Sequence, residues 1–223
     1  MITINPPVIY HKLERIDSPN GRRYLTPNGG DKLPSVTEIL SKTGDKTALI
    51  EWRKRVGDEE ANRISKESTG LGTLVHKHVE NHILGEERPG GTNDVRMLAK
   101  TLADNIIEKG LVEVNEVWAM EQPLYYPGLY AGTADLIGVF RGIPSIMDHK
   151  TSKLLKKEEW VQDYFMQLCA YALAHNEVYG TDIKQGAIFM AARDGTYKTY
   201  VLEGTKWQES CEAWTRRVEA YYS

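Results

Sequence analysis

The feature that most constrains this chain is its second half, where short apolar stretches and turn signals alternate in a fixed order. Val114 to Tyr126 reads as a strand carrying Val117, Ala119 and Leu124, and Pro127-Gly128 follows as a turn. Ala131 to Phe140 reads as a second strand, Arg141-Gly142 as a tight turn, and Ser145 to Lys150 as a third strand. An amphipathic helix is expected from about Lys157 to Val178. Lys184 to Ala192 and Lys198 to Leu202 read as two more strands, joined at the hairpin turn Asp194-Gly195. Thr205 to Tyr221 closes the chain as a helix. Three strands, a helix, two strands and a helix predict an α/β fold with a mixed sheet flanked by helices.

The first half reads as a helical layer. Residues 1–34 form a strand or loop region with a turn-rich stretch at 24–30. Ser35-Val36-Thr37-Glu38 is a capping box, so a short helix starts at Ser35 and carries Val36, Ile39 and Leu40. Thr47 is expected to cap a second helix running to about Lys66, which Ser68-Thr69-Gly70-Leu71-Gly72 breaks. Thr73 then opens a third helix ending near Gly85, residues 86–93 form a loop, and Asp94 caps a fourth helix that stops at Gly110. The 223 residues are read as one domain, 1–112 a mainly helical N-terminal layer and 113–223 the sheet core.

A chain of that length buries a core without disulfides. Its two cysteines, Cys169 and Cys211, lack CxxC spacing, which leaves a zinc site or iron–sulfur cluster on Cys ligands unsupported. Both read as small buried hydrophobes and fit a reducing compartment. No apolar run approaches the roughly 18 residues that span a bilayer. The N-terminal residues 1–7 lack the charged and apolar regions of a signal peptide. No membrane partner is therefore expected, and the cytoplasm is the expected compartment. A net charge of −3 gives no global attraction to a polyanion, so any nucleic-acid-binding face must be local.

Gly132-Thr133-Ala134-Asp135 and Asp148-His149-Lys150-Thr151-Ser152 carry the chemistry. Asp148 and Lys150 lie two apart at a strand end and so share a face. The turn at Arg141-Gly142 brings Asp135 beside them. Hard carboxylate oxygens hold Mg²⁺ or Mn²⁺. Such a cation neutralises phosphate charge and lowers the pKa of a bound water. A nearby ammonium orients that water and stabilises developing negative charge. Alone, Asp135 reads as a solvated strand residue and Asp148 with Lys150 as an exposed ion pair. Together, in this order, they point to metal-assisted hydrolysis of a phosphodiester.

The pattern resembles the PD-(D/E)XK nuclease superfamily, and within it the RecB-type exonuclease branch. Gly72-Thr73-Leu74-Val75-His76 is similar to that branch's upstream motif, and Asp148 to Ser152 is similar to its D-x-K-T-S strand end. Gln167-Leu168-Cys169-Ala170-Tyr171 is similar to its Q-x-x-x-Y helix. Leu33 to Leu40 and the Trp52-containing helix resemble the mitochondrial genome maintenance exonuclease and its phage relatives. The likeness runs from about Leu33 to Tyr171, and order and spacing give it specificity, since each motif is short. Ala134 stands where the nominal motif has Pro. Two cysteines are too few for the iron–sulfur members, and no GxxxxGK[ST] of a fused helicase occurs.

The resemblance implies a restriction-endonuclease-like mixed sheet and a Mg²⁺- or Mn²⁺-dependent deoxyribonuclease, an exonuclease acting on single-stranded DNA with free ends. It implies Asp135, Asp148 and Lys150 as catalytic residues. The implied metal ligands are His76, Asp135, Asp148 and the backbone carbonyl of His149, and Gln167 and Tyr171 are implied to contact DNA and support the site. Glu80, one helical turn from His76, and Glu121 on the preceding strand are auxiliary candidates. Lys153, near Lys156, Lys157 and Trp160, and Arg53 and Arg55 beside Trp52, are candidate phosphate contacts, while both tryptophans read as core residues. The expected partners are DNA and a recombination or replication protein, the chain being a monomer in a bacterial or phage-infected host cytoplasm. Two other readings are a non-catalytic DNA-binding accessory protein that kept the fold and a structure-specific endonuclease. The paired carboxylates argue against the first, because binding alone does not need them.

Overall fold

The computed structural model describes residues 2–18, 21–27 and 29–223, so Asn28 of the turn-rich stretch 24–30 lies outside the described residues. Four short strands open the chain: β1 (Thr3–Ile4), β2 (Glu14–Ser18), β3 (Gly21–Leu25) and β4 (Lys32–Pro34). Helices α1 (Val36–Thr43), α2 (Thr47–Val56), α3 (Asp58–Leu84) and α4 (Asp94–Lys109) follow. The second half runs β5 (Val114–Tyr126), β6 (Tyr130–Phe140), β7 (Ile143–Ser152), α5 (Gln162–Tyr179), β8 (Gln185–Ala192), β9 (Tyr197–Leu202) and α6 (Gly204–Tyr222). The α/β class and the mixed sheet expected from the sequence are present.

The main sheet has the order β1-β5-β6-β7-β8-β9. Tight turns make β5, β6 and β7 antiparallel neighbours, whereas β7 and β8 pair in parallel because α5 carries the chain back across the sheet. At the β6–β7 turn Arg141 and Gly142 both have positive φ, 52° and 80°, the backbone that a two-residue hairpin demands. β8 is buried along its whole length, as a strand covered on both faces must be. Its side chains alternate between two cores. Ala187, Phe189 and Ala191 pack with Leu71, Val75 and Val79 of α3 and Leu102 and Ile106 of α4. Ile188 and Met190 pack with Ile39 of α1, Leu168 of α5 and Trp214 of α6. The result is a helix–sheet–helix sandwich. Among the described residues, no helix is long and apolar enough to cross a membrane.

The first half departs from expectation in three places. Strands β2, β3 and β4 form a separate antiparallel sheet. The helix expected to run from Thr47 to Lys66 ends at Gly57, whose φ of 85° breaks it. Beyond it α3 runs unbroken through the expected break at 68–72. A mid-helix glycine costs only about 1 kcal/mol relative to alanine, and burial of Leu71, Val75 and Val79 exceeds that. Thr73 opens no helix. Its hydroxyl bonds back to the Thr69 carbonyl, one turn earlier in the same helix. At the two expected N-caps, the neighbours act instead: Asp45 accepts from Thr47 N, and Asn93 from Arg96 N.

Half of the capping box at Ser35 forms, its hydroxyl accepting from Glu38 N. The Glu38 carboxylate turns elsewhere, accepting from Lys42 at 2.8 Å and from the Tyr221 hydroxyl at 2.6 Å, with Arg23 at 3.1 Å. It thus ties α1 to the small sheet and to the end of α6. Burial pushes this carboxyl up, but the bonds from Lys42 and Tyr221 and the charge of Arg23 outweigh it and hold Glu38 below the ordinary carboxylate range. Stability from such a group is complete above its unfolded pKa and is lost as pH falls through the folded one. Glu38→Gln is therefore expected to lower unfolding free energy at pH 7 by about 1–3 kcal/mol in urea titrations. The difference from wild type should shrink below about pH 4.

Candidate metal centre

Ladder pairing between β6 and β7 runs from Phe140↔Ile143 up to Leu136↔Met147 and stops there. Beyond that pair the strands diverge, while β7 stays paired with β8 as far as Ser152. Asp135 and Asp148 are the first residues past the split, one on each prong of the fork. The freed backbone N–H of His149 donates to Asp135 Oδ2 at 3.0 Å, so a carboxylate takes the place of a ladder carbonyl.

His76 enters from α3 and closes the fork. Its Nε2 lies 3.0 Å from the His149 carbonyl oxygen and 3.6 Å from Asp135 Oδ2, and its Nδ1 lies 3.3 Å from Glu121 Oε1. Both ring nitrogens thus face acceptors, and only the doubly protonated ring can donate to both sides. Burial disfavours that charge, but the carboxylates of Asp135, Glu121 and Asp148 outweigh it and raise the His76 pKa to about 9. Glu121 itself has φ 45°, a left-handed backbone rare for this residue type. It stands opposite Asp135, between the pairs Met120↔Leu136 and Gln122↔Ala134. That conformation costs on the order of 1–3 kcal/mol, and it sets the carboxylate against His76. One ligand atom each from His76, Glu121 and Asp135 lies within 4.8 Å of the others, so this group can hold a metal ion.

Asp148 and Lys150 form the other half. The ammonium donates to Asp148 Oδ1 at 2.8 Å and lies 2.7 Å from Oδ2, which receives no well-directed hydrogen bond. Burial, and next the charge of Asp135, raise the Asp148 carboxyl to about 6. Burial works against the Lys150 ammonium, yet Asp148 and Asp135 hold its pKa above the ordinary lysine value. Its Nζ also sits 5.0 Å from the centre of the Tyr164 ring. The His149 ring points to the opposite side, stacked on Phe189, and burial lowers its pKa to about 3. Its edge also packs against the His76 ring, centre to centre 5.7 Å, while its backbone carbonyl meets His76 Nε2 at the fork.

Gln167 and Tyr171 lie one turn apart on α5, where Gln167 Nε2 donates to the Tyr171 hydroxyl at 3.1 Å. Tyr171 fits because Gly132 has no side chain: a Cβ there would sit 2.7 Å from the ring. Both residues line one cavity of about 200 Å³ together with His76, Glu121 and Asp135.

The remaining candidates lie apart from it. Glu80 pairs with Lys77 at 3.0 Å. Arg53 is taken by Asp58 and Asn62, and Arg55 and Lys153 are exposed. Of the two tryptophans expected in the core, Trp160 is 62% exposed in a short 3-10 turn between β7 and α5, and Trp52 is only half-buried on α2, which has no buried residue. Sequence reasoning does not single out Arg15 and Arg22, which line the same cavity from the small sheet. Their one signal is a cluster of charged residues at 14, 15, 17, 22 and 23, too short and too irregular to read as a sheet face on its own.

No protein-family model and no curated protein matches the chain. Among solved structures, one titled "Crystal structure of SSO0001" shares 16% identity, covering 66% of this chain and 85% of its own, with a TM-score of 0.32. A likeness of that size carries no argument about this chain.

The donor set makes a direct prediction. In calorimetric titration with Mn²⁺, Asp135→Asn and His76→Ala should each weaken binding by at least about tenfold, the loss that even an outer-shell partner causes. Glu80→Gln should bind as wild type does. Equal weakening by Glu80→Gln would place the ion elsewhere on α3.

Proposed function

We propose that this chain is a divalent-cation-dependent deoxyribonuclease that hydrolyses phosphodiester bonds as an exonuclease, on single-stranded DNA with free ends. The observation that carries this reading is the convergence of His76, Glu121 and Asp135 at the fork, beside the Lys150–Asp148 pair. The carboxylate and carbonyl oxygens are the hard donors that suit Mg²⁺ or Mn²⁺, and a neutral His76 imidazole would add one nitrogen. His76, Glu121, Asp135, Asp148 and the His149 carbonyl would hold it. When bound, such an ion supplies Lewis acidity and a water of lowered pKa.

The protein's own residues divide the remaining work. Lys150, kept as an ammonium by Asp148, is suited to orient the attacking water and to offset charge gathering on phosphate oxygens, rather than to abstract a proton. Asp135 fixes the prong of β7 through His149 N, so the positions of Asp148 and Lys150 depend on it. Gln167 and Tyr171 form the floor on which the strand rests. Cleavage leaves one phosphate monoester end and one hydroxyl end. A recombination or replication protein is the partner class we propose, and the bacterial or phage-infected host cytoplasm the compartment.

End-labelled single-stranded DNA should be degraded with Mg²⁺ or Mn²⁺ and left intact in EDTA. Lys150→Ala should lose roughly 10²–10³-fold in kcat while still binding DNA, as removal of one charge-stabilising donor does. Covalently closed single-stranded circles should resist digestion, and rapid cutting of circles would make the protein an endonuclease. DNA binding with no metal-dependent cleavage would overturn the enzymatic reading in favour of an accessory protein.

A further inference from the structure

The small antiparallel sheet has one face that the proposed chemistry does not use. Register pairs Arg15 with Tyr24 and Asp17 with Arg22. Cross-strand partners, and residues two apart on a strand, share a face. Arg15, Asp17, Arg22 and Tyr24 therefore project together. Three of them, Arg15, Arg22 and Tyr24, line the cavity whose other wall holds His76, Glu121 and Asp135. Tyr24 anchors the sheet there, its hydroxyl 3.0 Å from Thr133 Oγ1 on β6.

The charges of this face are unequal. Asp17 is shared by both guanidinium groups, with Arg22 Nε at 3.0 Å and Arg15 Nη2 at 3.1 Å. Two cations against one carboxylate leave a net positive charge. A guanidinium carries five N–H donors, more than Asp17, with Tyr24 beside Arg22, can engage, so donors remain to meet an anion. Both side chains are about half exposed, at 51% and 42%. Carboxylates thus face guanidinium groups across one cavity.

We propose that Arg15 and Arg22 form a phosphate-binding wall that holds the DNA phosphate adjacent to the scissile one. The proposal rests on the nuclease reading for the identity of the ligand. The wall fixes how far the strand advances into the fork, and Asp17 holds both guanidinium groups in place when no strand is bound. Arg and Lys contacts of this kind position a backbone without reading its sequence.

Fluorescence anisotropy with a short labelled single-stranded oligonucleotide in EDTA, over a range of salt, tests this. Arg15→Ala and Arg22→Ala should each weaken binding several-fold and lower the salt slope by about one. In Mn²⁺ cleavage assays the loss should fall on KM. Asp17→Ala should bind more tightly, because it frees both cations, whereas a purely structural role for the cluster predicts that it binds as poorly as the arginine variants. Arg15→Lys and Arg22→Lys should recover part of the affinity. Unchanged affinity and salt slope in the arginine variants, an Asp17→Ala loss equal to theirs, or no DNA binding by wild type would each overturn the wall. If wild type binds DNA through these arginines but cuts nothing, the wall stands and only the nuclease reading fails.

Discussion

The parting of β6 and β7 beyond Leu136 and Met147 is the constraint to which the rest of the site answers. A strand that leaves its neighbour strands its own N–H and C=O groups, and each must find another partner or cost free energy. The N–H of His149 finds Asp135 and its carbonyl finds His76. The fork therefore recruits a carboxylate and an imidazole through backbone accounting alone. His76 from α3 and Glu121 from β5 meet each other there.

Electrostatics completes what the backbone begins. Glu121, Asp135 and Asp148 face His76 and Lys150, three carboxylates against one ammonium and one imidazole that must give up its proton to ligate a cation. Burial makes this imbalance expensive, as the raised Asp148 pKa records. A site left with surplus negative charge and a strained backbone at Glu121 is poorly suited to mere stability. His76, Glu121 and Asp135 lie close enough together to hold a metal ion.

Much of this was legible in the sequence, and the losses have physical causes. The second half was readable because turns with definite chemistry, such as Arg141-Gly142 and Asp194-Gly195, bracket strands with apolar patterns. Asp135, Asp148, Lys150 and His76 were legible as a set, and the fork brings them together. Glu121 came through only as an auxiliary, because nothing local announces that its backbone turns left-handed. The break at Gly57 and the continuity of α3 through Gly70 and Gly72 were misplaced because packing of Leu71 and Val75 overrides glycine's propensity. Arg15 and Arg22 were invisible because a three-stranded sheet of three to five residues per strand has too little pattern to show which way it faces.

The residues whose ligand atoms converge at the fork are scattered along the chain, His76 in one half and Glu121 and Asp135 in the other. No single segment holds the complete set: His76 comes from α3, Glu121 from β5 and Asp135 from β6. Their convergence belongs to the folded chain and to no single segment of it. Any ion that prefers the folded state then resists opening of the whole sandwich, in proportion to the logarithm of its concentration over its dissociation constant.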